Sequence, residues 1–285
     1  MREFRQRVAV ITGGGSGIGR GLAERCVEEG MKVIIADIEE RALYETENAL
    51  KEQGGEILAI RLDVSRAEEI RMLADRALEA FGGVHLLFNN AGVECRGTIW
   101  ESTQADYEWL LNVNLWRVIH AIRVFVPLML RQKAECHIVN TASIAGLISG
   151  PGLGIYRLTK SAVISLSETL YHELQLQEVP VGVSVLCPSF VRSRLIEAER
   201  NRPEKYKNPR VEEALSSREQ ELIEWFKKQN QNAMPPSRFA EMVFDGIRAN
   251  RFYIFSDPGR MEDIKRRMDD IIRLRNPTGP RAGEE

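Results

Sequence analysis

The sequence carries almost no net charge. Its 285 residues include 39 Lys and Arg and 41 Asp and Glu, which leaves a formal charge of −2 at pH 7. Such a chain has no whole-molecule field that would attract nucleic acid or an anionic membrane surface. We therefore expect neither as a partner. Hydrophobic residues at 44% and charged residues at 28% are typical of an ordinary globular chain.

The sequence is also poor in cysteine. Cys26, Cys95, Cys136 and Cys187 lie far apart, and the sequence has no CxxC pair. This spacing argues against a zinc site and against a disulfide framework, and it is typical of a reducing compartment. We expect four separate thiols and no metal.

Long apolar runs and an export signal are missing as well. Residues 1–10 lack the apolar core and the small-residue cleavage site of a secretory signal. The longest nearly apolar stretch, Val118 to Leu130, contains His120 and Arg123, and it is shorter than the ~20 residues that cross a bilayer as a helix. The sequence therefore predicts a cytoplasmic protein.

What the sequence does contain is a regular alternation of short apolar runs and longer amphipathic segments. The predicted strands are 7–12, 31–36, 56–61, 84–89, 136–141, 181–186 and 251–255. The predicted helices between them are 18–29, 39–53, 67–81, 104–130 and 154–177. Because the strand runs are apolar on consecutive residues, helices should cover both faces of a parallel sheet. The fold class is α/β, a Rossmann-like doubly wound domain with about seven parallel strands.

The pattern loosens after Ser193. The charged stretch 194–231 keeps helical character at 222–226, and we expect a helical insertion over 194–235 within a single domain of residues 1–285. Ser237 is expected to cap a helix over 238–249. The C-terminal tail spans 257–285, and its last residues, 277–285, are expected to fray.

A glycine-rich turn follows the first strand, where residues 12–19 read TGGGSGIG. Glycine lets the backbone pass close to a ligand, and the free N–H groups at the start of the next helix attract a pyrophosphate. Asp37 ends the second strand 18 residues after Gly19, near the ~20-residue separation at which a carboxylate reaches the adenosine ribose. This context favours dinucleotide binding over a purely steric turn.

The residue at position 37 also indicates which dinucleotide is preferred. A carboxylate repels a 2′-phosphate, and no Lys or Arg stands at Ser16 or Ile38 to counter it, so NAD is expected rather than NADP. Asp37 as a cap of the following helix is a compatible alternative. A P-loop is excluded because Arg20 and Gly21 stand where Lys and Ser or Thr are needed.

Further motifs follow in a fixed order. They are Asn89-Asn90-Ala91-Gly92, Asn112-Val113-Asn114, Ser143, and Tyr156 followed by Lys160. With the glycine turn, these motifs make residues 5–193 resemble the short-chain dehydrogenase/reductase family. The resemblance implies a catalytic tetrad of Asn114, Ser143, Tyr156 and Lys160. The cofactor-binding residues that it implies are Gly13, Ser16, Gly17, Ile18, Gly19, Asp37, Asp63, Val64, Asn90, Tyr156, Lys160, Val191 and Ser193.

The residue types agree with these roles. Tyr156 and Lys160 are four residues apart on a predicted helix, so they share a face. A free tyrosine titrates near ~10, and we expect Lys160 and a positive nicotinamide ring together to lower the pKa of Tyr156 by ~2–3 units. Ser143 should hold the substrate oxygen, since no histidine stands in a nucleophile motif. For Asn114 the resemblance implies that it supports a water in a proton relay. A second interpretation, that Asn114 kinks its helix, stays open.

The chain departs from the family at Ser189, where a glycine is usual, and this predicts a stiffer turn there. Ser193 keeps the hydroxyl that reaches the nicotinamide carboxamide in the family. The resemblance makes 194–235 a substrate lid. The apolar residues expected at the mouth of the pocket are Leu147, Ile148, Leu153, Phe190 and Leu195. They predict a hydrophobic or alicyclic secondary alcohol or ketone as substrate.

Two other functions stay open on the sequence, a polyol or sugar dehydrogenase and a dinucleotide-sensing binding protein without turnover. The sequence also predicts a homodimer or homotetramer, because the two long helices carry more apolar positions than one sheet face can cover. These positions are Trp109, Trp116, Phe125, Leu166, Leu170 and Leu174. Coverage by the lid is the alternative explanation.

Overall fold

Seven parallel strands form one sheet in the computed structural model, which describes residues 1–208, 224 and 228–279. The strands are β1 (Val8–Thr12), β2 (Lys32–Asp37), β3 (Glu56–Arg61), β4 (Leu86–Asn89), β5 (Cys136–Thr141), β6 (Val181–Cys187) and β7 (Tyr253–Phe255). Their order is β3-β2-β1-β4-β5-β6-β7. The chain therefore adds β2 and β3 on one side of β1, and then adds β4 to β7 on the other side. The predicted doubly wound α/β fold is confirmed.

Helices cover both faces of the sheet. They are α1 (Gly17–Glu28), α2 (Glu40–Glu52), α3 (Ala67–Phe81), α4 (Gln104–Leu110), α5 (Arg117–Gln132), α6 (Gly154–Leu176), α7 (Pro236–Arg248) and α8 (Met261–Ile272). Leu22 of α1 and Phe244 of α7 belong to the core on one face, and Phe125 of α5 and Leu170 of α6 belong to the core on the other. The consecutive apolar residues of the strands thus face two packed layers.

The predicted helix over 104–130 is interrupted. A π-helical stretch, Leu111–Trp116, joins α4 to α5. The whole helical stretch Gln104–Gln132 has 29 residues and is, among the described residues, long and apolar enough to cross a membrane, so it exceeds the apolar run Val118–Leu130 that the sequence indicated. Phe125 and Met129 on it are buried in the core against the sheet, as in a core helix of a globular domain.

The C-terminal region differs from the prediction at the start of α7. α7 begins at Pro236, so Ser237 lies inside the first turn and does not cap the helix. Proline suits the first helical position because its φ is already helical and the N–H that it lacks would have no intrahelical partner. The tail before the segment expected to fray forms α8, and the Arg267 guanidinium donates to the Leu147 carbonyl at 3.1 Å. Residues 280–285 lie outside the described residues.

The described part of the predicted lid comprises residues 194–208, 224 and 228–235. It contains two 3₁₀ turns, Leu195–Asn201 and Glu204–Tyr206. The helical prediction at 222–226 falls, apart from Glu224, outside the described residues. Arg202 forms a buried ion pair with Asp106 of α4, and its guanidinium lies 4.8 Å from the ring centroid of Trp109. This segment therefore packs across α4.

Most of the apolar residues behind the oligomer prediction are covered by the chain itself. Trp109, Phe125, Leu170 and Leu174 are buried, and Leu166 is half-buried. Trp116 keeps 44% of its surface exposed. The sequence analysis interpreted these residues as more apolar surface than the chain itself can cover, and for the four buried residues that interpretation was wrong. Trp109 is covered by the lid, through Arg202. The homodimer or homotetramer stays a prediction.

Candidate active site

A cleft of about 200 Å³ opens at the carboxyl ends of the strands, beside the point where the winding direction changes between β1 and β4. The cleft is lined by most of the site residues that the sequence singled out. These are Gly13, Ser16, Gly17, Ile18, Asp37, Asp63, Val64, Asn90, Ser143, Tyr156, Lys160, Val191 and Ser193. The other two, Gly19 and Asn114, are buried beneath its wall.

The glycine turn passes from β1 into α1 with no room for side chains. Gly13 and Gly17 have φ values of +68° and +52°, which favour glycine. A Cβ on Gly19 would lie 2.0 Å from the carbonyl oxygen of Gly13. Ser16 occupies the N-cap of α1 without a side-chain hydrogen bond to it, so the first-turn N–H groups of this helix are not satisfied by that hydroxyl.

Asn90 fastens this turn to the end of β4. Its Nδ2 donates to the carbonyl oxygen of Thr12 at 3.1 Å, and its backbone N–H donates to Thr12 Oγ1 at 3.0 Å. Thr12, a buried residue that the sequence analysis did not single out, therefore fixes the turn from below. The pairing of β1 with β4 brings the two segments together.

Asp37 stands at the end of β2 and faces the cleft. Its Oδ2 accepts from Gly15 N–H at 2.9 Å, and its Oδ1 accepts from Glu39 N–H at 3.0 Å. Burial raises the pKa of this carboxyl, while the two N–H groups act in the opposite direction. The side chain thus links the glycine turn to the approach of α2, although the cap position of α2 itself is Glu39.

Asp63 and Val64 follow β3 at the same edge. Asp63 Oδ1 accepts from Ser65 N–H at 2.9 Å, and its own N–H donates to Glu69 at 2.6 Å. Val64 is buried but still lines the cleft. The loop after β3 therefore forms the wall next to Asp37.

Tyr156, Lys160 and Ser143 meet at the other half of the cleft. Lys160 Nζ donates to the Thr141 carbonyl at 3.0 Å and lies 5.4 Å from the ring centroid of Tyr156. Ser143 Oγ accepts from Ala145 N–H at 3.1 Å. The ends of β5 and α6 thus bring together the three side chains that the sequence placed 13 and 4 residues apart.

Burial dominates the titration of this group. It raises the pKa of Tyr156, and Glu94 adds to this shift, whereas Ser143 and the charge of Arg117 oppose it. Burial also lowers the pKa of Lys160 well below its usual value. The sequence analysis expected Lys160 and a nicotinamide ring together to make the phenol acidic. Lys160 by itself does not offset the burial.

Asn114 lies in the π-helical stretch and reaches back toward the cleft. Its Oδ1 accepts from Val93 N–H at 2.9 Å, and its Nδ2 donates to the Val93 carbonyl at 2.9 Å and to Thr159 Oγ1 at 3.1 Å. The irregular helix and the polar contacts occur together, so the two interpretations of Asn114 are not exclusive.

The predicted mouth residues are mostly elsewhere. Of the five, Leu195 lines the cleft, whereas Leu147, Ile148, Leu153 and Phe190 do not. Leu147 packs against a different cluster, which contains Val118 and Val163. Leu153 packs against the cluster of Val93, Trp109 and Tyr156, whose members line the cleft, without lining it itself. The apolar lining comes instead from Val93, Trp109, Val113, Val191, Ala198, Pro203 and Tyr206.

Comparison with known proteins agrees with this arrangement. The family model described as short chain dehydrogenase matches residues 7–204. The chain belongs to the short-chain dehydrogenase/reductase family. It is therefore a member of a family of oxidoreductases, as the motifs suggested.

Similar proteins from this family cover nearly the whole chain. The CLA biosynthesis dehydrogenase/reductase of Lactiplantibacillus plantarum is 34% identical over 272 residues, 95% of each chain. The C alpha-dehydrogenase of a Sphingobium species is 33% identical over 95% of this chain and 87% of that one. The crystal structure of a short-chain dehydrogenase/reductase from Burkholderia phymatum in complex with NAD is 45% identical, with a TM-score of 0.94, and covers 98% of this chain and 99% of that chain.

The turn after β6 accommodates the serine that stands at position 189, where the family usually has glycine. Ser189 keeps a negative φ, and its N–H donates to Ser256 Oγ at 2.9 Å, so the serine is accommodated without left-handed backbone. Ser193 lines the cleft, and Asn230 holds it by hydrogen bonds of 3.2 Å and 3.1 Å to its backbone. Asn230 had no motif to mark it in the sequence.

Proposed function

We propose that this short-chain dehydrogenase/reductase transfers hydride between NAD and a secondary alcohol or ketone. The observation that carries the proposal is the convergence of Ser143, Tyr156 and Lys160 on the same cleft as the glycine turn and Asp37. A nucleotide-binding protein without turnover has no physical need for a buried phenol, ammonium and hydroxyl at one end of its cleft.

The residues present fit a dinucleotide. The glycine turn offers backbone that no Cβ obstructs, and the first turn of α1 offers N–H groups suited to a pyrophosphate. Asp37 would take the ribose hydroxyls, next to Asp63 and Val64 on the adenine side. Asn90, Lys160, Val191 and Ser193 would hold the nicotinamide half. Bound NAD would supply the hydride chemistry.

The remaining chemistry is the transfer of one proton. In the oxidative direction, Ser143 orients the substrate oxygen and Tyr156 takes the proton of the alcohol; for carbonyl reduction, Tyr156 returns it. Lys160 holds the phenol in place and would also hold the ribose of the cofactor. Asn114 supports a water that passes protons between Lys160 and solvent.

We further propose a hydrophobic or alicyclic substrate. The cleft beside Tyr156 is walled by Val93, Trp109, Val113 and Ala198, side chains that offer a polyol few hydrogen-bond partners. The Tyr206 hydroxyl already accepts from Asn112 Nδ2 at 3.0 Å. Its O–H group remains available as a donor, so polar recognition at this end is limited to few groups.

A substrate panel tests both proposals. We expect NAD-dependent oxidation of alicyclic secondary alcohols with kcat/KM at least ~10-fold above that for polyols of similar size, followed as NADH formation. A preference for polyols would contradict the substrate class. Tight NADH binding without turnover of any alcohol or ketone would contradict the oxidoreductase and favour the sensing protein.

Replacing Asp37 by asparagine is expected to weaken discrimination between the two dinucleotides. The substitution removes the charge that repels a 2′-phosphate and one of two acceptors for backbone N–H, so KM for NAD should rise about tenfold while that for NADP falls. Steady-state kinetics with both cofactors measures the ratio. The matched control, Asp245→Asn on the outer surface of α7, should leave it unchanged; an unaltered ratio in Asp37→Asn would refute the assignment.

A further inference from the structure

Arg117, the first residue of α5, is an unusual buried cation. It follows the π-helical stretch that carries Asn114, and only 1% of its surface is exposed. Its Nε, Nη1 and Nη2 atoms have no hydrogen-bond partner among the described residues. A buried charge without a partner strongly destabilises a fold. Such a residue is expected where its charge serves the site rather than the fold.

Arg117 follows Asn114 by three residues, and Asn114 Nδ2 donates to Thr159 Oγ1 at 3.1 Å on α6, the helix that carries Tyr156 and Lys160. The buried start of α5 is thereby held against this helix, and the acidic group on which the Arg117 charge acts is the phenol of Tyr156. The pKa of each of the two side chains responds to the charge of the other. Burial lowers the pKa of Arg117 to about 9, so the guanidinium stays protonated at neutral pH. Tyr156 lines the cleft and Arg117 does not. The guanidinium therefore acts on the phenol from behind the wall.

The other charged groups around the phenol do not replace Arg117. Glu94, in the loop after β4, opposes ionisation of Tyr156, and its carboxylate is paired with Arg96 at 2.5 Å. Lys160 of α6 donates to a backbone carbonyl, and its own charged form is disfavoured by burial and by Arg117.

Two uncharged groups complete the surroundings. The Ser143 hydroxyl, after β5, favours the ionised phenol. The thiol of Cys187, at the end of β6, acts on Lys160. Neither carries a positive charge that would stabilise an ionised Tyr156.

We propose that Arg117 is a positioning residue that stabilises the phenolate of Tyr156 with a fixed positive charge. The inference rests on the proposed function, in which the phenolate accepts the proton of the alcohol. Arg117 exchanges no proton and touches no substrate. It sets how readily Tyr156 gives up its own proton before the alcohol arrives.

The pH dependence of kcat/KM for alcohol oxidation tests this role. In Arg117→Met the acidic limb is expected to move upward by about one pH unit, which lowers the rate below that limb about tenfold. Arg117→Lys, which keeps the charge, should move it by less than half as much. An unmoved limb in Arg117→Met, or equal shifts in both variants, would overturn the proposal.

Thermal unfolding separates this role from a structural one. Because methionine removes an unpaired buried charge, Tm of Arg117→Met should not fall. A residue that only supports packing would give a lower Tm and an unchanged acidic limb. Arg123→Met, an exposed position on the same helix, is the matched control and should change neither.

A measurement without turnover keeps the two proposals apart. In protein with ring-labelled tyrosine and saturating NAD, the NMR signal of Tyr156, assigned from its loss in Tyr156→Phe, should titrate at higher pH in Arg117→Met than in the unmodified chain. Equal titration would overturn the role of Arg117 even if the enzyme is active. A shifted titration would support it even if no alcohol is oxidised.

Discussion

Replacement of Tyr156 by phenylalanine is expected to lower kcat/KM for alcohol oxidation and ketone reduction by about 10²–10⁴-fold. The ring is buried in a core cluster that includes Trp109, Leu110 and Ile155, and phenylalanine preserves that packing. The group that is lost is the hydroxyl that exchanges the proton. Steady-state kinetics in both directions, with an alcohol and a ketone identified by the substrate panel, measures the effect.

Cofactor binding should survive the same substitution. The dinucleotide would be held chiefly by the glycine turn, Asp37 and Ser193, so the Kd for NADH, measured by fluorescence, should stay within about twofold. Tyr44→Phe on the exposed face of α2 is the matched control and should leave kcat/KM and Kd unchanged. Tyr156→Phe with more than a tenth of the original activity would show that another group transfers the proton.

The sheet and the cofactor half of the cleft were predictable because their signals are local. A parallel strand covered on both faces is apolar on consecutive residues, so β2 was predicted at 31–36 and observed at Lys32–Asp37. The glycine turn and Asp37 occur at strand ends, and parallel strands bring their carboxyl ends to one edge. Position along the chain was enough to place them together.

The substrate half depended on contacts that no local pattern encodes. Arg202 and Asp106 form a buried ion pair although they are 96 residues apart, and nothing in either segment indicates the other. Leu147 and Leu153 were predicted at the mouth of the pocket, and neither lines the cleft. Leu147 belongs instead to a cluster with Val118 of α5 and Val163 of α6.

Buried charges were the least predictable feature. In the sequence, Arg117 stands in WRVIH and resembles a surface residue of an amphipathic helix. The π-helical stretch before it changes which residues face inward, since each π turn holds more residues than an α turn. A guanidinium thereby becomes buried close to a phenol and an ammonium. The site is arranged at the expense of local stability, as functional sites often are.

Substitution of Gly19 by alanine is expected to destabilise the fold by about 3 kcal/mol or more and to weaken NADH binding at least tenfold. A Cβ at this position would lie 2.0 Å from the Gly13 carbonyl oxygen and 2.6 Å from Asn90 Nδ2. The first of these atoms is backbone in the turn itself. The turn can make room only by moving away from α1. This movement separates the backbone of the turn from the N–H groups of α1 that would bind the pyrophosphate. Chemical denaturation and fluorescence titration with NADH measure the two effects.

The comparison that isolates the steric effect is Gly279→Ala, where no atom of the described part of the chain lies within 4 Å of the added carbon. It should change neither the free energy of unfolding nor the Kd for NADH. If Gly19→Ala unfolded within about 1 kcal/mol of the unmodified chain and bound NADH equally well, the turn would have to be adaptable. A flexible turn would not hold a pyrophosphate at a fixed distance from Tyr156, and the assignment of this cleft to a dinucleotide would then lose its main structural support.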